Sequence, residues 1–179
     1  MQIGIHCTPK KNCKKIKQKG ITPQPFWKSQ EPLRFPLKFR FIYQQKANIL
    51  TGKTHAQITD SIYDSLKAAN YHLTKSAQSP FQLRELSLFL VDIDNSKIGQ
   101  KRQKTFFVRT TKSKKDAHRG SILEEVHLRA PKNAVTEITL TEKEIAAIEE
   151  ETKCMNWFDA NKHVAQKIAD KIVTLIKVP

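Results

Sequence analysis

Apolar and polar positions alternate with two distinct periods from residue 36 onward. In Leu37-Lys38-Phe39-Arg40-Phe41-Ile42-Tyr43 the period is two, which places Leu37, Phe39, Phe41 and Tyr43 on one face of a half-buried strand. Thr54 then opens a helix, with Gln57 three residues on to complete a capping box. Ile58, Ile62, Leu66, Ala69 and Leu73 follow at helical spacing, so one stripe faces a core. Further strands are predicted over residues 84–93, 104–111, 121–129 and 134–140. Leu86-Ser87-Leu88-Phe89-Leu90-Val91 is apolar on both faces and reads as a central strand. A short acidic helix from Thr141 to Glu151 leads into a long one, capped by Asn156 with Asp159 at its third position. The buried stripe predicted for the long helix is Trp157, Ala160, Val164, Ile168, Ile172 and Leu175. The order β-α-β-β-(β)-β-α-α predicts an α+β fold, a four- to five-stranded antiparallel or mixed sheet with two long helices on one face.

Before Pro36 the pattern is different. Residues 1–36 hold five of the eight prolines, no acidic residue before Glu31, and six lysines between Lys10 and Lys19. Such a composition predicts an extended basic arm over residues 1–35 that orders only on a partner, followed by one α+β domain over 36–179. Phe26, Trp27 and Phe35, interspersed in the arm, would stack on that partner or fold back on the domain.

Composition narrows the class. No apolar run approaches the roughly 20 residues that a membrane span requires. The opening MQIGIHCTPKKNCKK lacks the apolar stretch of a secretory signal, and the three cysteines Cys7, Cys13 and Cys154 are an odd number at unhelpful spacings. Both observations predict a cytoplasmic protein with reduced thiols. Net charge is +15, and it is unevenly spread. Residues 1–60 carry 12 basic and 2 acidic side chains, 61–120 carry 12 and 5, and 121–179 carry 8 and 10. The excess lies in the first two-thirds, as expected of a surface that binds a polyanion by releasing its counterions.

Four basic groups are candidate contacts. They are Lys10, Lys11, Lys14, Lys15, Lys17 and Lys19 in the arm; a loop with Lys97, Lys101, Arg102 and Lys104; a second run with Lys112, Lys114, Lys115 and Arg119; and Lys162, Lys167 and Lys171 on one outward face of the last helix. Candidate chemistry is weaker. Ala47 to Thr54 satisfies a relaxed phosphate-loop pattern, but Ala47 replaces its first glycine and the strands that follow leave no room for alternating βαβ units. Asp92, Asp94, Glu124, Glu125 and His127 could supply a two-metal nuclease, yet Asp94-Asn95-Ser96 reads as a turn and Glu125 and His127 alternate with apolar positions. His6, Cys7 and Cys13 lack the second ligand pair of a zinc site. No catalytic set, metal or cofactor is therefore expected.

Asp92, Asn95, Gly99, Lys101 and Arg102, with the helix opening Asn156-Trp157-Phe158-Asp159-Ala160, resemble motifs of the ribosome hibernation-promoting factor and ribosome-associated inhibitor family. The resemblance covers about residues 36–112 and 155–178, and makes 113–151 an insertion. It implies a non-catalytic protein that lodges in the tRNA path of the small ribosomal subunit, with rRNA as partner. Two other classes stay open. One is a structural protein of a nucleoprotein particle, such as a lineage-specific ribosomal protein; the other is a metal-dependent nuclease of a mobile element.

Overall fold

The computed structural model describes residues 2–21, 47–100, 105–109, 117–121 and 126–176, with the strands between 97 and 129 described by their backbone pairing. Four strands form the main sheet: β1 (Ile3–Pro9), β2 (Asn48–Ile49), β3 (Leu86–Asp92) and β8 (Val135–Ile138). Their spatial order is β2-β1-β3-β8, and every neighbouring pair is antiparallel. The α+β expectation holds, and the doubly apolar segment 86–91 is an interior strand as its composition requires.

The expected arm is corrected over its first part. β1 is also an interior strand and pairs with β3 along its whole length, from Ile3↔Asp92 to Pro9↔Leu86. Lys10–Asn12 then form a 3-10 turn and Cys13–Lys19 a short helix, α1. The reason is local: Ile3, Ile5 and Cys7 alternate with the period of a strand, and apart from Pro9 at the strand's end the prolines of the segment follow from Pro23. Residues 22–35 of the arm and the strand predicted at 37–43 lie outside the described residues.

One face of the sheet carries the long helices α2 (His55–Thr74) and α4 (Trp157–Ile176). Thr54 and Gln57 form the predicted capping box, and Asn156 accepts a hydrogen bond from the Asp159 backbone at 2.9 Å. Ile58, Ile62, Leu66 and Ala69 from α2, with Val164, Ile168 and Ile172 from α4, pack on Ile5, Cys7, Leu86, Leu88 and Ile138. Leu175 departs from the predicted stripe: it is 57% exposed at the last turn, where Ile176 packs against the core instead. Two asparagines, each 2% exposed, pin the connection from α2 to β3. Asn161 accepts from the Phe81 backbone at 2.8 Å and donates to the Ser79 carbonyl at 3.0 Å. Asn70 accepts from the Gln82 backbone at 2.9 Å and donates to the Pro80 carbonyl at 3.2 Å. Buried amides are costly unless paired in this way.

The opposite face holds α1. Ile16, Ile21 and Ala130 cover Phe89, Val91 and Ile93 there. Lys17 pairs with Glu137 of β8 at 2.5 Å, and the Cys13 thiol donates to the same carboxylate at 3.2 Å. Gly20 ends the helix with φ of 77°, its N–H donating to the Ile16 carbonyl at 2.7 Å, after which Ile21 and Ala130 exchange hydrogen bonds at 2.8 and 3.0 Å. A Cβ on Gly20 would stand 2.1 Å from the Ala130 carbonyl oxygen, so both the positive φ and the close approach require glycine.

Between β3 and β8 the chain forms β4 (Lys97–Gln100), β5 (Thr105–Arg109), β6 (Ala117–Ser121) and β7 (Val126–Arg129). β4 pairs with β7 and β5 with β6, both antiparallel. Lys97–Gln100 is thus strand where a loop was expected, while Ser121 and Val126–Arg129 are strand within the expected 121–129, whose residues 122–125 lie outside the described residues. Residues 130–151 are no appendage either: β8 completes the main sheet, and α3 (Glu142–Thr152) carries buried Ile148 into the core beside α4. Among the described residues no helix is long and apolar enough to cross a membrane.

Candidate nucleic-acid interface

Of the carboxylates that could have served a nuclease, Asp92 forms a turn and Asp94 holds a distant backbone N–H. Asp92 Oδ1 accepts from the backbone N–H of Asp94 at 3.1 Å and of Asn95 at 3.3 Å, while Asn95 Nδ2 donates to its Oδ2 at 2.5 Å. These bonds, the Asn95 side chain first, hold the Asp92 carboxyl below the usual carboxylate range. Asp94 accepts from the Gln2 backbone at 2.9 Å and so ties the chain start to the end of β3. Glu124 and Glu125 lie outside the described residues, and His127 sits on β7. Of the relaxed phosphate-loop segment, Lys53 Nζ donates to the Ser61 hydroxyl at 2.6 Å and Thr54 caps α2. Burial pushes the Cys7 thiol up, away from nucleophilic chemistry. Among the described residues no three His, Cys, Asp or Glu side chains converge as metal ligands.

The cations divide into two groups with different surroundings. On the sheet face that holds α1, Lys10 and Lys11 stand on the 3-10 turn and Lys14, Lys15 and Lys19 on the helix, all exposed. The helix is seven residues long with one buried side chain, Ile16, and no acidic residue in its first turn. Lys17 alone of the six pairs with a carboxylate among the described residues. The other five, exposed on these two adjoining elements, form a cationic surface, with Lys10 near enough to Glu137 to help lower its pKa. Its field reaches the end of α2, where half-buried His72 is held below its ordinary pKa by burial and then by Lys75 and Lys11.

On α4 the cations are engaged. Lys171 Nζ donates to both oxygens of Glu144 at 2.8 Å and to the Thr139 carbonyl at 3.0 Å. Lys167 lies 3.2 Å from Glu151, which also meets His163 at 2.5 Å. Lys162 sits 4.6 Å above the Phe158 ring. The Lys171 bond, followed by the backbone of Thr141, pushes the Glu144 carboxyl down to about 2. Arg84 likewise joins Glu149, at 2.9 Å, and Glu142.

α3 therefore supplies the counter-charges for α4 and for Arg84. Sequence reasoning missed this partnership, although the five glutamates between Glu142 and Glu151 were its signal. Of the remaining expected contacts, Lys97 lies on β4 and Arg119 on β6. Lys101, Arg102, Lys104, Lys112, Lys114 and Lys115 lie outside the described residues.

The chain matches no protein-family model, no curated protein and no solved structure. What the site can do must follow from its own chemistry. Exposed ammonium groups without local counter-ions, held on a fixed element, attract phosphates and release their condensed cations. Paired groups do so much less, because a phosphate must first compete with a carboxylate already in place.

Proposed function

We propose that this chain is a non-catalytic RNA-binding protein of the cytoplasm that contacts the phosphate backbone through the lysines between Lys10 and Lys19. The observation that carries this reading is the contrast above: five of six lysines on the α1 side lack a carboxylate partner among the described residues, while Lys167 and Lys171 on α4 have one. Because these lysines stand on a helix packed against the sheet, the surface is preformed and loses little chain entropy on binding. The backbone contacts that occupy the Asp92 and Asp94 carboxylates support occupancy of RNA over its hydrolysis.

A ribosomal setting, with rRNA of the small subunit as partner and the tRNA path as the occupied space, is the form of this proposal that the hibernation-factor resemblance favours. The test is direct. Structured RNA should bind the purified protein with an affinity that falls steeply between about 50 and 200 mM salt, remain intact when Mg²⁺ is added, and lose that binding when Lys10, Lys11, Lys14, Lys15 and Lys19 become glutamine. Binding indifferent to salt, or cleavage of the RNA that ends on Asp92→Asn substitution, would overturn it. Sedimentation of lysate through sucrose separates the ribosomal setting, in which the protein runs with small subunits or whole ribosomes, from free RNA binding.

A further inference from the structure

The sheet brings the last turn of α2 to the first lysines of the cationic surface. β1 begins beside the entrance to α2, where the Ile3 N–H donates to the Thr51 hydroxyl and the Ile3 carbonyl accepts from Leu50, both at 2.7 Å. It ends with Pro9 opposite Leu86. Leu86 follows a second 3-10 turn, Leu83–Glu85, and Gln82 just before that turn is held by Asn70 near the end of α2. The turn Lys10–Asn12 lies against Leu83–Glu85. Lys10 and Lys11 therefore stand at the same end of the sheet as His72, in the last turn of α2, and Lys75 at its cap.

Lys75 occupies a position that suits another residue better. Among the described residues it is the one non-glycine with positive φ, 57°, at a helix end where glycine is common because a Cβ is disfavoured. Its backbone N–H closes the helix on the Tyr71 carbonyl at 2.9 Å, and the Thr74 hydroxyl donates to the Asn70 carbonyl at 3.0 Å. The helix end is thus completed without the Lys75 ammonium, which is exposed and meets no carboxylate among the described residues. A backbone cost kept for a side chain with no partner in the fold points to a use outside it. Half-buried His72 lies within the field of both Lys75 and Lys11. Of the other charged groups on the elements packed here, Arg84 is taken by Glu149 and Glu142, while Lys10 and Glu85 are exposed on their turns; none of the three shifts His72.

We propose that Lys11, His72 and Lys75 form a phosphate site that carries the α1 surface round to the end of α2, and that an RNA phosphate is bound there with His72 protonated. The inference rests on the RNA-binding reading above and adds a second anchoring point with its own pH dependence. In the free chain, burial and then the two ammonium groups oppose a charge on His72, so its ring is neutral at neutral pH. A phosphate drawn in by Lys11 and Lys75 reverses the local field, and the imidazolium gives it a further charge-assisted hydrogen bond. The proton comes from solvent. Because the complex then binds more protons than the free chain at about pH 6, affinity rises as pH falls toward that value.

The experiment is fluorescence anisotropy of the full chain with a labelled RNA hairpin, at fixed ionic strength, from about pH 8 to about pH 5.5. The parent's affinity should rise as pH falls, by no more than about tenfold per pH unit, since one proton is taken up. His72→Gln should remove that rise. His55→Gln and His163→Gln, whose rings meet Asp170 and Glu151 instead, should keep it. Lys75→Gly and Lys75→Asn place residues at home in left-handed backbone, so both should melt no lower than the parent. Both should nevertheless bind the hairpin several-fold more weakly and lower the salt slope by about 0.7. If affinity does not vary with pH, if it varies equally in His72→Gln, or if both Lys75 variants bind as the parent does, the site falls while the α1 reading stands. If the parent binds no RNA at any pH, both fall together.

Discussion

Lys10–Lys19 and Lys162–Lys171 are both lysine-bearing helical segments, and their charges stand in opposite surroundings. On α4, Lys167 and Lys171 reach across to Glu151 and Glu144 of the acidic helix that precedes them. On the 3-10 turn and α1, only Lys17 meets a carboxylate among the described residues, and that contact fastens the helix to β8. Exposed pairs of the first kind contribute about 0–1 kcal/mol each, but their larger effect is on binding, since they occupy the cations. A lysine count therefore misjudges a surface unless the acidic neighbours brought by the fold are counted with it.

The strongest way to break this comparison is to detach α1. Gly20→Ala should cost about 3 kcal/mol or more, because the new Cβ would be strained by the positive φ and would collide with the Ala130 carbonyl. Urea unfolding measures it, and a loss below about 0.5 kcal/mol would show that α1 is not anchored as described. Next in size is the charge itself. Replacing Lys10, Lys11, Lys14, Lys15 and Lys19 by glutamine should lower the slope of log affinity against log salt by roughly 3.5, at about 0.7 per lost phosphate contact. The triple variant of Lys162, Lys167 and Lys171 should lower it by less than roughly 1. Equal effects would erase the distinction between the two regions.

Smaller effects sharpen it. Lys171→Met should lower stability by about 0.5 kcal/mol and leave RNA affinity nearly unchanged, as thermal melts and binding on the same preparation would show. The Glu144 pair also predicts a pH dependence. Its carboxyl titrates lower in the folded chain, at about 2 against an ordinary 4.5, so the folded state binds fewer protons. That contribution is fully present above about pH 5 and is lost as pH falls from about 4.5 toward 2. In Glu144→Gln the acid-side fall in stability should be shallower than in the parent; an identical profile would mean the pair is absent in solution.

Much of the fold was legible because it is local. Capping at Thr54 and Asn156, the stripe of α2 and the doubly apolar β3 depend on neighbours within a few residues, and each is found where the pattern places it. The arm was misread over Ile3–Ile21 because composition averaged across 35 residues hides a seven-residue strand. The loop at 97–104 was misread at Lys97–Gln100 because pairing with residues 126–129 is a long-range event. The candidate site was legible as charge and illegible as surface, since which cation meets which carboxylate depends on how α3 folds back on α4.

By itself the sequence determined the caps, the helical and strand periods, the excess of positive charge in the first two-thirds and the α+β class. All of these are properties of residue type and spacing along the chain. Only the tertiary structure decided that the N-terminal strand lies inside the sheet, that α1 rides on the face opposite the long helices, and that Lys167 and Lys171 of α4 are spent on α3. The physical reason is range. Hydrogen bonds between strands and ion pairs between helices act over a few ångströms in space, and the residues they join here, Ile3 with Asp92 or Glu144 with Lys171, are far apart in the chain.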